Sequence, residues 1–227
     1  MTANSFQRPE VHSGKNYTTV QMIADAPKFR SNIKSVLAMA TPEEYTNGMG
    51  WYELAHAQCR AIADHFNVSL STATGIVAAL SPGVQWEKNL LDAIAILERG
   101  DEAVVSTYGP NKDKAVSIAQ DGDVSVLGGS KVTSFYPNML TPHLDNNVTC
   151  DRHAAVAAAN WYKEFDNQKF LKDPKYAVLE AAYFSVAREM GILGHQCQAI
   201  AWVAAKRLFS DKADVRYDMP EWLPMSL

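Results

Sequence analysis

Cysteine is scarce in this 227-residue chain: Cys59, Cys150 and Cys197 are odd in number, scattered and without a CxxC pair. That spacing argues against a disulfide framework, a structural zinc site or an iron-sulfur cluster. Buried, reduced thiols are the expectation. No apolar run approaches the roughly 20 residues that cross a bilayer, and the opening MTANSFQRPEVHSGK has no apolar stretch of the signal-peptide kind. We therefore expect a cytoplasmic, soluble protein with no membrane partner. Basic excess is lacking too. The net charge is −4 and the pI about 5.9, whereas a dedicated nucleic-acid binder usually has a pI above about 9. A local helix-terminus site can nonetheless hold a phosphate on an acidic protein. Glu53/Asp64 and Glu180/Glu189 are not spaced as paired metal ligands, and no phosphate-binding loop or dinucleotide fingerprint occurs. No cofactor is expected.

What is present is helical patterning. With 47% hydrophobic residues the chain can bury a real core, and Ala-rich amphipathic segments leave little period-2 alternation. Thr41, Pro42 and Glu44 spell a helix start, with Thr41 as N-cap and Glu44 closing a capping box. A Gly48/Gly50 break precedes a helix over 51–66, whose Trp51, Leu54, Ala55, Ile62 and Phe66 form one stripe. Further helices are predicted near 71–80, 86–97 and 111–120, then over 151–165, 173–190 and 196–209. The fold class is all-α, one domain over 17–209 with a two-lobed form possible, flanked by an N-terminal arm (1–16) and a C-terminal tail (210–227) wrapping the surface.

The most informative stretch is VLGGSKVTSFYPN followed by VTCDRHAA. Gly128 and Gly129 allow a tight turn with positive φ, after which Val132, Phe135, Tyr136 and Met139 fall on one stripe, leaving Lys131, Ser134 and Asn138 on the other face. Lys131 heads one helix and Asp151 the next. An amine and a carboxylate at two helix starts suit a nucleophile and its acid/base partner. The plainer alternative is a solvated surface lysine and an ordinary N-cap aspartate. His153 more readily orients the Asp151 segment than catalyses. His56 and His195 read as satisfied core or boundary residues, and His143, beside Pro142, as a loop residue facing a cleft.

In order, these segments resemble the helix-hairpin-helix DNA glycosylase superfamily, over about 75–159. IVAALSPGVQWEKNLLDAIAIL resembles its early helix, break and following helix. YGPNKDKAVSIAQ resembles the short helix before the hairpin, VLGGSKVTSFYPN the hairpin and second helix, and VTCDRHAAVAA its Val-x-x-Asp-x-His segment. The resemblance implies a catalytic pair of Lys131 and Asp151. Substrate or DNA contacts would come from Gly128, Gly129, Ser130, Ser134, Asn138, Gln85, Trp86, Arg152 and His153. The hairpin is shorter than the family's Gly-x-Gly, and Gln85 stands in for the glutamine that fills the gap left by an extruded base.

Such an enzyme extrudes a base from duplex DNA, with a stacking wall sought among Trp51, Tyr52, Trp86 and Tyr136, residues that equally suit a core. Asp151 would stabilise positive charge on the sugar as the base departs. Lys131 would attack only as the neutral amine. Kept charged, it becomes a phosphate or pyrophosphate clamp. That second role suits a similar branch of phage enzymes, which transfer an amino acid or small amine onto an activated 5-hydroxymethyluracil in DNA. A third reading is a non-catalytic helical adaptor or structural protein.

Overall fold

The structure is a computed structural model and describes residues 18–144, 146–159, 173–209 and 215–226. The expected arm (1–16), the end of the helix starting after Asp151 (160–165) and the start of the tail (210–214) lie outside these residues. Among the described residues all regular structure is helical, as the periodicity predicts. The α-helices are α1 (Thr19–Ala38), α2 (Pro42–Met49), α3 (Trp51–Phe66), α4 (Leu70–Leu80), α5 (Trp86–Arg99), α6 (Gly109–Asp121), α7 (Ser130–Leu140), α8 (Arg152–Ala159), α9 (Lys175–Met190) and α10 (Gly194–Phe209). Short 3₁₀ turns occupy Gly100–Glu102 and Val124–Val126. The chain divides into two compact units. The first is Met1–Trp51 with Asn146–Lys212, and the second is Tyr52–Asp145 with Ala213–Leu227.

In the first unit α1 packs on α8, α9 and α10, and α10 packs on α2, α8 and α9. Phe29, Ile33, Tyr183 and Ile200 are fully buried there among small alanines of α8 and α10. Helix α1 has no counterpart in the sequence reading. Its inward stripe of Met22, Phe29, Ile33 and Val36 is interrupted by Asp25 and Asn32, both buried, and Pro27 stands inside it. Asn32 is admitted because its Nδ2 donates to the Ala158 carbonyl at 2.8 Å, satisfying a polar group that burial would otherwise penalise. The expected Gly48/Gly50 break is half corrected: Gly48 lies within α2 and is buried, and only Gly50 caps it. A Cβ on Gly48 would stand 2.4 Å from the Ile200 Cα, so the glycine is kept for close approach of α2 to α10 rather than to end a helix. The Thr41/Glu44 capping box forms as predicted, with bonds of 3.1 and 2.9 Å.

The second unit is built around α4, in which every residue from Thr72 to Leu80 is buried. Helices α5, α6 and α7 pack on it. A helix covered on all sides has no polar face to display, which is why its short run TATGIVAAL is almost wholly apolar or small. The stripe expected on α3 is shifted: Tyr52, Ala55, Cys59 and Ile62 are buried, while Trp51, Leu54 and Phe66 are half-buried. Leu223 of the C-terminal segment is also buried.

Candidate functional site

The sequence singles out two helix starts, and each unit holds one. In the second unit α6 ends on Gly122, left-handed at φ 76°, whose N–H bonds the Ile118 carbonyl at 2.9 Å. The Asp123 carboxylate accepts from the Ser125 N–H at 2.8 Å and starts the 3₁₀ turn. Val124 in that turn sits so close to α4 that a Cβ on Gly75 would be 2.7 Å from it. The α6–turn–α7 hairpin is thereby seated on the buried central helix. Gly128 and Gly129 follow, and Gly129, at φ 86°, occupies the N-cap of α7 with no side-chain capping bond. The Lys114 ammonium stands beside this turn, 3.8 Å from where a Cβ on Gly128 would lie.

Lys131 turns inward. Its Nζ is 3.5 Å from the Ser81 carbonyl, at the outer limit for a hydrogen bond, and 6.0 Å from the centre of the Phe135 ring. Tyr52 and Trp86 both meet that ring edge-on, at 6.1 Å. Trp86 in turn donates its indole N–H to Gln58 Oε1 at 2.9 Å. Ser134 and Asn138, assigned to the face opposite the apolar stripe, are buried as well. Lys131 is half-buried, so a polar row of Lys131, Ser134 and Asn138 runs from the edge of the unit into it beside the aromatic one. Of the four aromatics proposed as a stacking wall, Tyr52 is core and Trp86 joins the Phe135 cluster. Tyr136 bonds the Ser71 hydroxyl at 2.8 Å. Trp51 belongs to the first unit, edge-on to Trp202 at 5.9 Å.

Gln85 is engaged. Its Nε2 donates to the Val215 carbonyl at 2.7 Å and its Oε1 accepts the Val215 N–H at 3.2 Å. Of the basic residues, Lys114 and Lys131 belong to the hairpin, while Lys112 is held by Asp101, Nζ to backbone oxygen 2.5 Å. Arg152 is exposed in the first unit.

That unit holds the other helix start. The segment ahead of Asp151 is tied down by Tyr176, whose hydroxyl donates to the Val148 carbonyl at 2.7 Å and accepts the Cys150 N–H at 2.9 Å. Asn146 accepts the Gly194 N–H at 2.6 Å, and Glu180 accepts the Val148 N–H at 3.3 Å. Burial, with some repulsion from Asp173, raises the Glu180 carboxyl above its ordinary range against the pull of that hydrogen bond. Asp151 Oδ1 then accepts the Ala154 N–H at 2.8 Å, the N-cap geometry of the plainer reading. His153 meets Trp202 edge-on at 6.2 Å.

The other histidines singled out in the sequence are placed as follows. His56 Nδ1 lies 3.0 Å from the Met139 carbonyl and His195 is buried. His143 is highly exposed, 4.0 Å from Glu53 Oε1, so it faces solvent instead of a cleft. All three cysteines are free and buried, and burial pushes the Cys59 and Cys197 thiols up to about 12. A thiolate nucleophile is thereby disfavoured. Among the described residues no three His, Cys, Asp or Glu side chains gather into a metal-binding group.

Sequence reading missed the Ser81 carbonyl, the Phe135 ring as a lysine neighbour, and Gln58. Ser81 is 50 residues from Lys131 and carries no local signal of meeting it, whereas Phe135, four positions on in the same helix, falls under the i,i+4 rule.

These features define an all-helical protein of two units with a glycine-turn helical hairpin in the second. Residues 17–209 match a family described as "Family of unknown function (DUF7178)", and the chain belongs to it. No curated protein and no solved structure matches the chain. The likeness to helix-hairpin-helix glycosylases accordingly rests on the residues quoted above.

Proposed function

We propose that this protein acts on bases in DNA, with the hairpin of the second unit gripping the phosphate backbone and Lys131 serving as the reacting amine. One observation carries the reading. The positive end of α7, a glycine turn without side chains and the Lys114 ammonium meet at one place, while Lys131, two residues past Gly129, points into the unit. Helix dipole and ammonium together favour a phosphate oxygen at the turn. A backbone grip of this kind positions a duplex without reading its sequence. Asp151 is the carboxylate that the resemblance assigns to the same reaction. Base excision is the parent activity: the glycosidic C–N bond breaks, the base leaves with the electron pair, and either the Lys131 amine or water takes its place on the sugar carbon.

A second reading has its own support. Two contacts of Lys131, to a carbonyl oxygen and over an aromatic ring, are ones an ammonium makes. A charged Lys131 suits the clamp for a phosphorylated or pyrophosphorylated base better than it suits a nucleophile, which favours amine transfer onto activated 5-hydroxymethyluracil.

One set of duplexes separates the readings. Excision yields abasic sites on duplexes carrying uracil, oxidised, alkylated or hypermodified thymine bases, and Lys131→Ala abolishes them. Transfer yields an amine-dependent mass increase with the glycosidic bond intact. Neither product on any duplex overturns the enzymatic reading. Binding alone tests the hairpin: Lys114→Ala should reduce the slope of log affinity against log salt by about one, with little effect on stability.

A further inference from the structure

The C-terminal segment is held to the second unit by groups that read its backbone. Gln85 exchanges two hydrogen bonds with Val215, N–H to Oε1 and Nε2–H to carbonyl, the pattern by which a strand engages a neighbour. Gln58 donates to the Pro224 carbonyl at 2.8 Å. Between these points Trp222 lies flat on His65, ring centres 4.1 Å apart and 7° from parallel, and Leu223 is buried. The family match ends at residue 209, so the whole segment lies outside the matched region.

Its anchor points coincide with groups the function needs. Gln85 is the substitute that the resemblance offers for the glutamine filling an extruded base's gap, and Gln58, while holding Pro224, also holds the indole of Trp86. Trp86 and Lys131 share the Phe135 ring. Residues 215–226 carry Asp218 and Glu221 against Arg216. An excess of carboxylates repels the phosphates of an approaching duplex.

We infer that residues 215–226 are an autoinhibitory strap: docked, they occupy Gln85 and Gln58 and keep a duplex off this edge of the second unit, and their release admits it. This rests on the DNA-binding reading. The arrangement lowers apparent affinity by the fraction of molecules with the strap open.

The test compares the full native chain with the full chain carrying Trp222→Ala and Leu223→Ala, using anisotropy of a short fluorescent duplex together with amide hydrogen exchange. The variant should bind roughly tenfold more tightly, as a closed-to-open ratio of about ten to one requires. Exchange should rise over 215–226 while α4 stays protected. Equal affinities with the strap visibly open overturn the strap and leave DNA binding standing. No binding by either chain overturns both. Should α4 lose protection in that variant, Val215→Pro removes the N–H that Gln85 accepts without touching the buried Leu223. It must then also tighten binding, and unchanged affinity there sinks the strap.

Discussion

Two helix starts that look alike in the sequence are opposites in the structure. At the head of α8 a carboxylate caps its own helix, Asp151 Oδ1 accepting the Ala154 N–H. At the head of α7 the cap is Gly129, which has no side chain to offer, and an ammonium stands beside the turn. The first start has an anion built in. The second collects positive potential and supplies none. A polar residue at a helix head is thus two different statements: Asp151 closes the amides of its own helix, whereas Lys131 leaves its helix's cap to a glycine and reaches the Ser81 carbonyl instead.

The sharpest way to break this comparison is to separate cap from carboxylate at Asp151. Asparagine keeps a side-chain oxygen for the Ala154 N–H, and Asn and Asp are about equal as N-caps. Asp151→Asn should therefore melt with the native chain. Asp151→Ala should lose about 1 kcal/mol, read as a lower denaturation midpoint. If the acid takes part in chemistry, both variants lose roughly 10²- to 10⁴-fold in turnover on whichever duplex is the substrate. Full turnover by Asp151→Asn, with only Asp151→Ala impaired and only in stability, would reduce the residue to its cap.

The opposite start is tested by giving Gly129 a side chain. A Cβ there meets nothing within 4 Å, so crowding is not at issue. The cost of Gly129→Ala is conformational, because φ 86° is ready for glycine and strained for alanine by roughly 1–3 kcal/mol. We expect a lower midpoint in urea with the slope unchanged, and weaker duplex binding because the turn shifts away from Lys114. Gly128→Ala is the internal control, since Gly128 is not among the positive-φ glycines. Equal destabilisation by the two would show that the left-handed backbone is not what the sequence preserves at 129.

Much of the fold was legible because its signals are local. Thr41-Pro42-Glu44 announces α2, and Trp51 to Phe66 are the bounds of α3 both as predicted and as found. The site was legible only in part. The glycine turn and the polar row on α7 follow from residues within a dozen positions of each other. That Ser134 and Asn138 are buried does not, because α7 packs on α4 and Lys131 reaches the Ser81 carbonyl, both far back in the chain. Helix α1 was illegible for a related reason: Asp25 and Asn32 break its apolar stripe, and what makes Asn32 acceptable is a carbonyl 126 residues away. Gly48 misled because a glycine that ends a helix and one that admits a neighbouring backbone are the same letter.

A third helix start, α2, completes the comparison and carries the smallest expected effect. Here the cap is closed twice, by the Thr41/Glu44 box and by Arg207, whose Nε and Nη2 reach Glu44 Oε1 and Oε2 at 2.6 and 3.0 Å. The guanidinium holds the Glu44 carboxyl below its ordinary value of 4.5, outweighing the opposing effect of burial. A carboxyl depressed in the folded state stabilises above its unfolded value, and loses that contribution as pH falls through the folded one. Glu44→Gln keeps an N3 side chain for the box and removes only the charge, and the partly exposed Arg207 limits the pair to under about 1 kcal/mol. The variant should therefore melt slightly lower than the native chain at neutral pH, with the gap closing in acid below the ordinary carboxylate range. A gap that persists unchanged there would assign the difference to side-chain packing instead of charge, and would leave α2 capped by its box alone.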